Sequence, residues 1–455
     1  MKRRRMRSES KVPAVLAVAV LLAYFNAFGG VFQFDDYNVI VNNPAVHSLA
    51  GWLDSMPGIR PLLKLSYTLN WITDSDPVGF HLFNVLVHAA NAMLVYTLLR
   101  KLRPRRGRDD PLPLFAALMF ALHPVQTEAV TYVAGRSVSL MALFYLCSLL
   151  AYVRADIHPS PRIWRVISAG LFAAALLVKE TAITLPLALL LIESIGASRT
   201  MREKIKRLSP HWFVLLAGLL VMVASPTYRH LLEVSLATRD LTDNLLTQVN
   251  AICYLGGQLI FPWRLNADPD LPVFATLTAL VGLQALALIA ILVMGLRNLR
   301  ARRWIAFAVL WFFIHLLPTN SVLARLDVAN DRQLYLASIG AFVAVAAALQ
   351  WLVAHMQPRW LANGAIGLLL LGLGAVTVGR NQVYGSQVAY WEDAAAKSPG
   401  KARVFNNLGY VYQQAGRYGQ ARSAYRRAID LDPVYWKAHI NLSTLPVEKT
   451  DARVR

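Results

Sequence analysis

Two adjacent carboxylates, Asp35 and Asp36, follow directly after the first long apolar run of the chain. Neighbouring carboxylates at a membrane surface repel each other and lose hydration, which raises the pKa of one of them towards the range of a general base. The same pair could instead bind a divalent cation, or it could form an ordinary solvated acidic turn. The residues alone leave these three interpretations open.

Two arginines are suited to bind phosphate. Arg60 lies in the same polar stretch as the acidic pair, and Arg332 stands in the run NDRQLYLASIG at the start of a later apolar segment. A guanidinium presents a planar fork that matches two phosphate oxygens. The structural alternatives are that Arg60 snorkels to lipid phosphates and that Arg332 anchors its helix.

Further ionisable residues interrupt apolar segments. His123, Glu128 and Arg136 occur in HPVQTEAVTYVAGR, and Lys179 and Glu180 separate two apolar runs. Charged groups close to hydrocarbon are costly, so they usually face a cavity or a partner. His123 could also cap a helix end. Adjacent residues on a helix point in different directions, so Lys179 and Glu180 are expected to have separate partners or to form a plain polar turn.

Long apolar segments must position these groups. The 455 residues are 56% hydrophobic and 16% charged, a balance typical of membrane proteins. Runs such as Val12 to Phe32, Phe274 to Leu296 and Leu361 to Val378 approach or exceed the roughly 20 residues that cross a bilayer. We predict an all-α polytopic membrane domain over residues 1–380 with about 11 spans, in which Asn244 to Pro262 is re-entrant or interfacial.

The orientation of the chain in the membrane follows from its basic residues, because short loops rich in lysine and arginine stay on the cytoplasmic side. The N-terminus and the clusters at 100–108, 154–165, 199–207 and 297–303 are strongly basic, whereas residues 33–79 contain five aspartates and only two basic residues. This pattern predicts a cytoplasmic N-terminus, and it places every candidate residue on the extracytoplasmic side. The net charge of +20 lies in the loops, so it does not indicate nucleic-acid binding. Cys147 and Cys253 support neither a disulfide framework nor a zinc site.

The C-terminal part, residues 381–455, is a separate helical module. Small and large residues from Leu408 to Pro433 follow the tetratricopeptide pattern, and Pro399 precedes Pro433 by one period of 34 residues. We predict a half repeat at 385–400 and a full repeat at 402–435, on the extracytoplasmic side. So short a stack is expected to pack against the membrane domain or a protein partner.

Several blocks, in order and spacing, resemble the transmembrane and tetratricopeptide-repeat O-mannosyltransferases and their bacterial relatives. The blocks are FDDYNVIVNNPAV, IRPLLKLSYTLNW with GFHLFNVLVHAANA, HPVQTEAVTYVAGR, KETAITLPL, DRQLYLAS and the C-terminal repeat. The resemblance implies a C-type glycosyltransferase fold. It also implies an inverting transfer of a sugar, with mannose as a candidate, from a polyprenyl-phosphate donor to a protein, glycan or lipid hydroxyl.

The same resemblance implies roles for the candidate residues. Asp35 and Asp36 become catalytic, with Asp35 preferred as the base that deprotonates the acceptor. The carrier phosphate would be held by Arg60, Arg136, Lys179 and Arg332, and the cavity would be lined by His123, Glu128 and Glu180.

Two other functions stay open at this point. One is an oligosaccharide ligase with a diphosphate-linked donor, and the other is a non-catalytic membrane scaffold with a repeat docking surface. The short basic N-terminus and the few repeats favour the inner membrane of a Gram-negative cell.

Overall fold

The computed structural model describes residues 11–56, 58–103, 110–196 and 199–446. All regular elements within these ranges are helices, which confirms the predicted all-α class. The basic residues at 2–5 and part of the predicted basic loop at 100–108 lie outside the described residues.

The first half of the chain alternates long helices with short ones. The bounds are α1 Val12–Tyr24, α2 Leu49–Asp54, α3 Pro61–Thr73, α4 Pro77–Leu102, α5 Leu112–Leu122, α6 Thr127–Val130, α7 Arg136–Ala155, α8 Pro161–Val178 and α9 Leu185–Gly196. Proline opens several of these helices, where its missing N–H would have no partner anyway. At the start of α4, Asp76 caps the helix by accepting the N–H of Val78 at 2.8 Å.

The second half begins with a bent pair of helices and ends in the C-terminal module. The bounds are α10 Met201–Arg207, α11 Ser209–Ala224, α12 Pro226–Thr238, α13 Leu241–Gln258, α14 Ala279–Arg297, α15 Arg303–Leu316, α16 Leu334–His355, α17 Arg359–Gln382, α18 Gln387–Lys397, α19 Ala402–Gln414, α20 Tyr418–Leu431 and α21 Trp436–Ser443.

Seven helices within the described residues are long and apolar enough to cross a membrane, or eight if the bent pair α10 and α11 forms one span. Two more apolar helices, α5 and α15, have 11 and 14 residues and are shorter than a full span. The predicted count of about 11 is therefore not confirmed. Helix α13 covers most of the predicted re-entrant segment, and it is not among the helices that are long and apolar enough to cross a membrane. Only 11% of the most apolar stretch of α14 is buried inside the structure, so most of the surface of this helix is available to lipid.

The centre of the membrane body is formed by α4, α5, α7 and α16, which pack against one another. Polar contacts tie three of these helices together at Tyr335, whose hydroxyl contacts His88 at 2.8 Å and Asn91 at 3.0 Å. Asn91 also donates to the carbonyl of Ser139 at 2.8 Å. Such hydrogen bonds hold helices together in a setting where the hydrophobic effect does not.

Helices α19 and α20 form a packed hairpin that lies within the predicted full repeat. Gly409 allows the close approach of the two helices, because a Cβ at this position would lie 2.5 Å from the ring of Tyr425. Gly416 in the connecting turn has φ of +71°, a conformation that glycine adopts without strain. Helix α18 lies in the stretch predicted as a half repeat, and it packs against α19.

Candidate functional site

Asp36 lies in the loop after α1 and is fully buried. One carboxylate oxygen accepts the N–H of Gln33 at 2.8 Å, and the other accepts the N–H of Ala134 at 2.7 Å. Burial raises the pKa of Asp36 to about 8, although both hydrogen bonds favour the charged form. The carboxylate therefore fastens its loop to the segment before α7, and both of its oxygens are engaged in doing so.

Asp35 has a different environment from its neighbour, because it is only partly buried. Its backbone N–H donates to the hydroxyl of Tyr132 at 3.0 Å. Burial raises the pKa of its carboxyl group, and the positive charge of Arg332 lowers it. A simple solvated acidic turn does not describe this pair, since one member is buried and the other is partly buried beside a cation.

Two residues have strained backbones. In the described part of the chain, Phe34 with φ of 34° and Arg60 with φ of 54° are the only non-glycine residues with positive φ. Phe34 directly precedes Asp35. Such conformations cost about 1–3 kcal/mol each and cluster at functional sites, where the surrounding structure holds them.

Arg60 forms a two-pronged ion pair with Glu180. Its Nε donates to Oε1 at 2.9 Å and its Nη2 donates to Oε2 at 2.9 Å. The hydroxyl of Tyr228 donates to the same carboxylate at 3.1 Å. Lys179 points elsewhere, because its Nζ donates to the hydroxyl of Ser137 at 3.2 Å. The adjacent residues 179 and 180 thus have separate partners, as expected from the sequence.

A small cavity is surrounded by three cations: Lys179, Arg325 and Arg332. Burial lowers the pKa of Lys179 well below its ordinary value, and the charges of Arg60 and Arg332 lower it further. Burial and the charge of Arg332 likewise lower the pKa of Arg325. Cations that crowd one another in this way are stabilised by a bound anion. The cavity measures about 30 Å³, far below a typical ligand site, so a substrate could enter only if the lining residues moved.

Arg332 connects this cavity to two acidic groups. The carboxylate of Glu128 accepts the backbone N–H of Arg332 at 2.8 Å, and its second oxygen lies 3.5 Å from the Nε of Arg332. Asp35 is within electrostatic range of the same guanidinium. The structure thus brings Asp35, Glu128, Lys179 and Arg332 into one region, with the ion pair of Arg60 beside them.

Arg136 lies in a separate, fully buried position. Its guanidinium donates to Asn84 Oδ1 at 2.7 Å and to the carbonyl oxygens of Ser66 and Phe80, both at 3.0 Å. These bonds join α3, α4 and α7. Arg136 does not line the cation cavity, so its contacts are those of a residue that joins helices.

His123 is also placed away from the cation cavity. Its Nδ1 accepts the N–H of Val125 at 3.1 Å, and its Nε2 lies 3.2 Å from the carbonyl oxygen of Leu259. Both ring nitrogens are therefore engaged with backbone. The helix-capping alternative describes these contacts.

Two family models match parts of the chain. The tetratricopeptide repeat model matches residues 402–435, and the model of dolichyl-phosphate-mannose-protein mannosyltransferases matches residues 62–228. Protein O-mannosyl-transferase F38B6.6 of Caenorhabditis elegans is 24% identical over 92% of this chain and 63% of its own length. Protein O-mannosyl-transferase TMTC3 of Homo sapiens is 25% identical over 94% of this chain and 52% of its own length.

Over most of its length the chain is similar to the TMTC protein O-mannosyl-transferases. Over a shorter part, 37% of this chain and 27% of the relative, it is 32% identical to protein O-mannosyl-transferase TMTC4 of Homo sapiens. This TMTC-like chain spans about half to two thirds of the length of the relatives that it matches along most of its sequence. No solved structure matches the chain.

Sequence reasoning did not identify two residues of this site, Arg325 and Asp327. Both lie between α15 and α16. Arg325 lines the cation cavity, and Asp327 contacts the repeat module. A usable signal was present, because Arg325 stands on a loop that the basic-residue rule places outside, where arginine is less common.

The repeat module lies directly against the site. Arg403, near the start of α19, donates to Asp268 at 2.9 Å and 2.5 Å and to Asp327 at 2.5 Å. Lys401 adds a bond to Asp268 at 2.5 Å. From α18, Gln387 donates to the hydroxyl of Tyr37 at 2.7 Å. The short stack therefore packs on the membrane body.

A divalent cation at Asp35 and Asp36, one of the interpretations left open by the sequence, fits poorly with the contacts of Asp36. Both oxygens of Asp36 are occupied by backbone N–H groups. Among the described residues, no three His, Cys, Asp or Glu side chains are grouped so as to hold a metal ion.

Proposed function

We propose that this protein is a membrane glycosyltransferase that moves a sugar from a polyprenyl-phosphate donor to a hydroxyl acceptor. The observation that carries the proposal is the crowding of Lys179, Arg325 and Arg332 around one cavity, beside the partly exposed carboxylate of Asp35. The cations suit a phosphate, and the carboxylate suits an acceptor hydroxyl. The relatives are named as protein O-mannosyl-transferases, which favours mannose and a protein acceptor.

In the proposed reaction, Asp35 accepts the proton of the acceptor hydroxyl. The hydroxyl oxygen then forms a bond to the anomeric carbon of the sugar, while the bond from that carbon to the phosphate oxygen breaks. The electron pair leaves with the phosphate, whose growing negative charge Lys179, Arg325 and Arg332 stabilise. A single displacement of this kind inverts the anomeric carbon.

Asp36 has a positioning role in this proposal, because its oxygens hold the loop that carries Asp35. Arg60 orients Glu180 beside the cations. We also propose that the site faces the extracytoplasmic side of the inner membrane, with the N-terminus in the cytoplasm and the repeat outside, as the distribution of basic loops predicts.

A donor titration tests the proposal. Purified protein in lipid nanodiscs is given polyprenyl-phosphate mannose and a hydroxyl-bearing acceptor peptide, and product is quantified by mass spectrometry. Replacing a charged hydrogen-bond donor costs about 1.5–3 kcal/mol, so Arg325→Gln should weaken donor binding roughly 10- to 150-fold. Arg229→Gln, which removes an exposed cation of α12, is the matched control.

Other outcomes would favour the competing functions. Transfer of a whole oligosaccharide from a diphosphate-linked donor, with no use of the monophosphate donor, indicates a ligase. A scaffold is indicated if the envelope glycans of cells that carry Asp35→Asn match those of the wild type while differing from a strain that lacks the protein.

A further inference from the structure

A second and larger cavity, about 830 Å³ in volume, lies at the opposite end of the same helices. Along α7, Met141 lines the cation cavity and Val153 lines the second one. At 1.5 Å per residue these positions are roughly 18 Å apart. Helix α15 repeats the pattern, with His315 at the cation cavity and Ile305 at the second cavity. The second cavity is therefore distinct from the proposed sugar-transfer site.

The carboxylates that line this cavity already have partners. Glu193 is buried and accepts bonds from the hydroxyl of Tyr152 at 2.7 Å, from Arg199 at 2.7 Å and from Arg207 at 3.0 Å. Asp156 contacts Arg207 and lies 3.6 Å from Arg199. This internal network is satisfied, and it offers no free acidic group to a ligand.

The cations, in contrast, exceed the carboxylates. Five lysines and arginines and two carboxylates line the cavity, so three positive charges are left uncompensated among its lining residues. Neither Lys101 nor Arg302 has a side-chain hydrogen bond or ion pair with any residue that the structure describes. Arg303 is held in place by a bond from its Nη1 to the carbonyl of Gly196 at 3.2 Å, which leaves its other donors available.

The walls between these cations are apolar. Leu102, Ile192 and Ile305 line the cavity, and the indole of Trp304 lies under the guanidinium of Arg103 at 4.7 Å from the ring centroid. Helices α4 and α7, whose C-terminal ends reach the cavity, belong to candidate membrane spans. A cavity at the ends of spans lies at the depth of lipid headgroups.

We propose that this cavity binds the phosphate headgroup of an anionic membrane lipid. Lys101, Arg302 and Arg303 contact the phosphate oxygens, and the aliphatic wall contacts the first part of the lipid chain. Lysine and arginine suit a phosphodiester, and clustered cations at a membrane surface attract anionic lipid. The inference does not depend on the proposed sugar transfer.

Native mass spectrometry of the full chain in detergent tests this site. The protein is titrated with phosphatidylglycerol, with phosphatidylcholine and with inorganic phosphate, and the lipid-bound fraction is measured. Lys101→Gln/Arg302→Gln should weaken phosphatidylglycerol binding on the order of 10- to 30-fold, since each cation contributes about tenfold or less. The control Arg297→Gln/Arg300→Gln removes two exposed cations from the neighbouring end of α14 and should leave binding unchanged.

The proposal is overturned if wild-type protein binds both lipids equally, or if the control variant loses as much affinity as the cavity variant. Inorganic phosphate that binds as tightly as the lipid would show a site for a free anion instead. If the cavity variant does not fold, the selectivity of the wild type between the two lipids still decides the question.

Discussion

The ring of Phe34 packs edge to face on the indole of Trp391, with ring centroids 5.4 Å apart. Phe34 has a strained backbone and directly precedes Asp35, and Trp391 belongs to α18. The carbonyl of Tyr384, just before that helix, accepts bonds from the backbone N–H of Val31 at 3.3 Å and from the side chain of Gln33 at 3.1 Å. The C-terminal module thus supports the acidic loop directly.

Trp391→Ala should loosen the acidic loop. Removing a buried tryptophan from a core costs about 3–5 kcal/mol of folding free energy. Part of the lost stabilisation is the ring contact with Phe34. Hydrogen exchange at residues 33–37 is expected to become faster, and sugar transfer is expected to slow. Trp436→Ala, which removes a mostly exposed indole of α21, is the control. Unchanged exchange in the acidic loop would contradict this role of the repeat.

Arg403→Gln should weaken the attachment of the full repeat to the membrane body, because it breaks the bonds to Asp268 and Asp327. Charge-assisted hydrogen bonds contribute about 1.5–3 kcal/mol, and partial exposure of Arg403 reduces that value. Limited proteolysis between α17 and α19 should become faster. Arg426→Gln, an exposed change on α20, should not alter the cleavage rate. Equal rates in the two variants would argue against this attachment.

The two acidic residues should respond differently to mutation. Asp35→Asn removes the proposed base, so transfer should fall about 10²- to 10⁴-fold while the melting temperature stays near that of the wild type. Asp36→Ala leaves the buried N–H groups of Gln33 and Ala134 without acceptors, at about 1–3 kcal/mol each. Its melting temperature should therefore fall. A fully active Asp35→Asn protein would exclude the proposed mechanism.

The pH dependence of transfer reports on Asp35. A general base must be deprotonated, so the rate falls as the pH decreases through its pKa. Because burial raises the pKa of Asp35, the acidic limb of kcat/KM should lie above the ordinary carboxyl value of about 3.9. Arg332 lowers this pKa, so Arg332→Gln should move the limb to still higher pH. A limb that does not move would mean that Asp35 is not the titrating group.

Arg136→Leu should destabilise the membrane body rather than weaken donor binding selectively. The change leaves the buried amide oxygen of Asn84 without its donor, at roughly 1–3 kcal/mol, and it removes the bonds from Arg136 to the carbonyl oxygens of Ser66 and Phe80. Thermal unfolding in detergent measures the loss. If the protein keeps its melting temperature and the donor KM rises instead, the result supports the phosphate-binding role predicted for Arg136.

The amino-acid sequence by itself determined the helical membrane body, the C-terminal repeat and the similarity to protein O-mannosyl-transferases. Apolar runs and the spacing of Gly409 and Tyr425 are local patterns, and local patterns survive in a single sequence. The predicted span count was not confirmed, because helices such as α5 and α15 are apolar but shorter than a full span.

Only the tertiary structure decided which polar residues share a site. Asp35 and Asp36 are neighbours of the same type, yet the long-range contact with Ala134 buries one and leaves the other partly exposed. Arg136 and Arg325 differ in the same way. The packing of α3, α4 and α7 encloses Arg136, whereas Arg325 lines a cavity. Burial and hydrogen-bond partners depend on residues far apart in the chain, so no local spacing could have specified them.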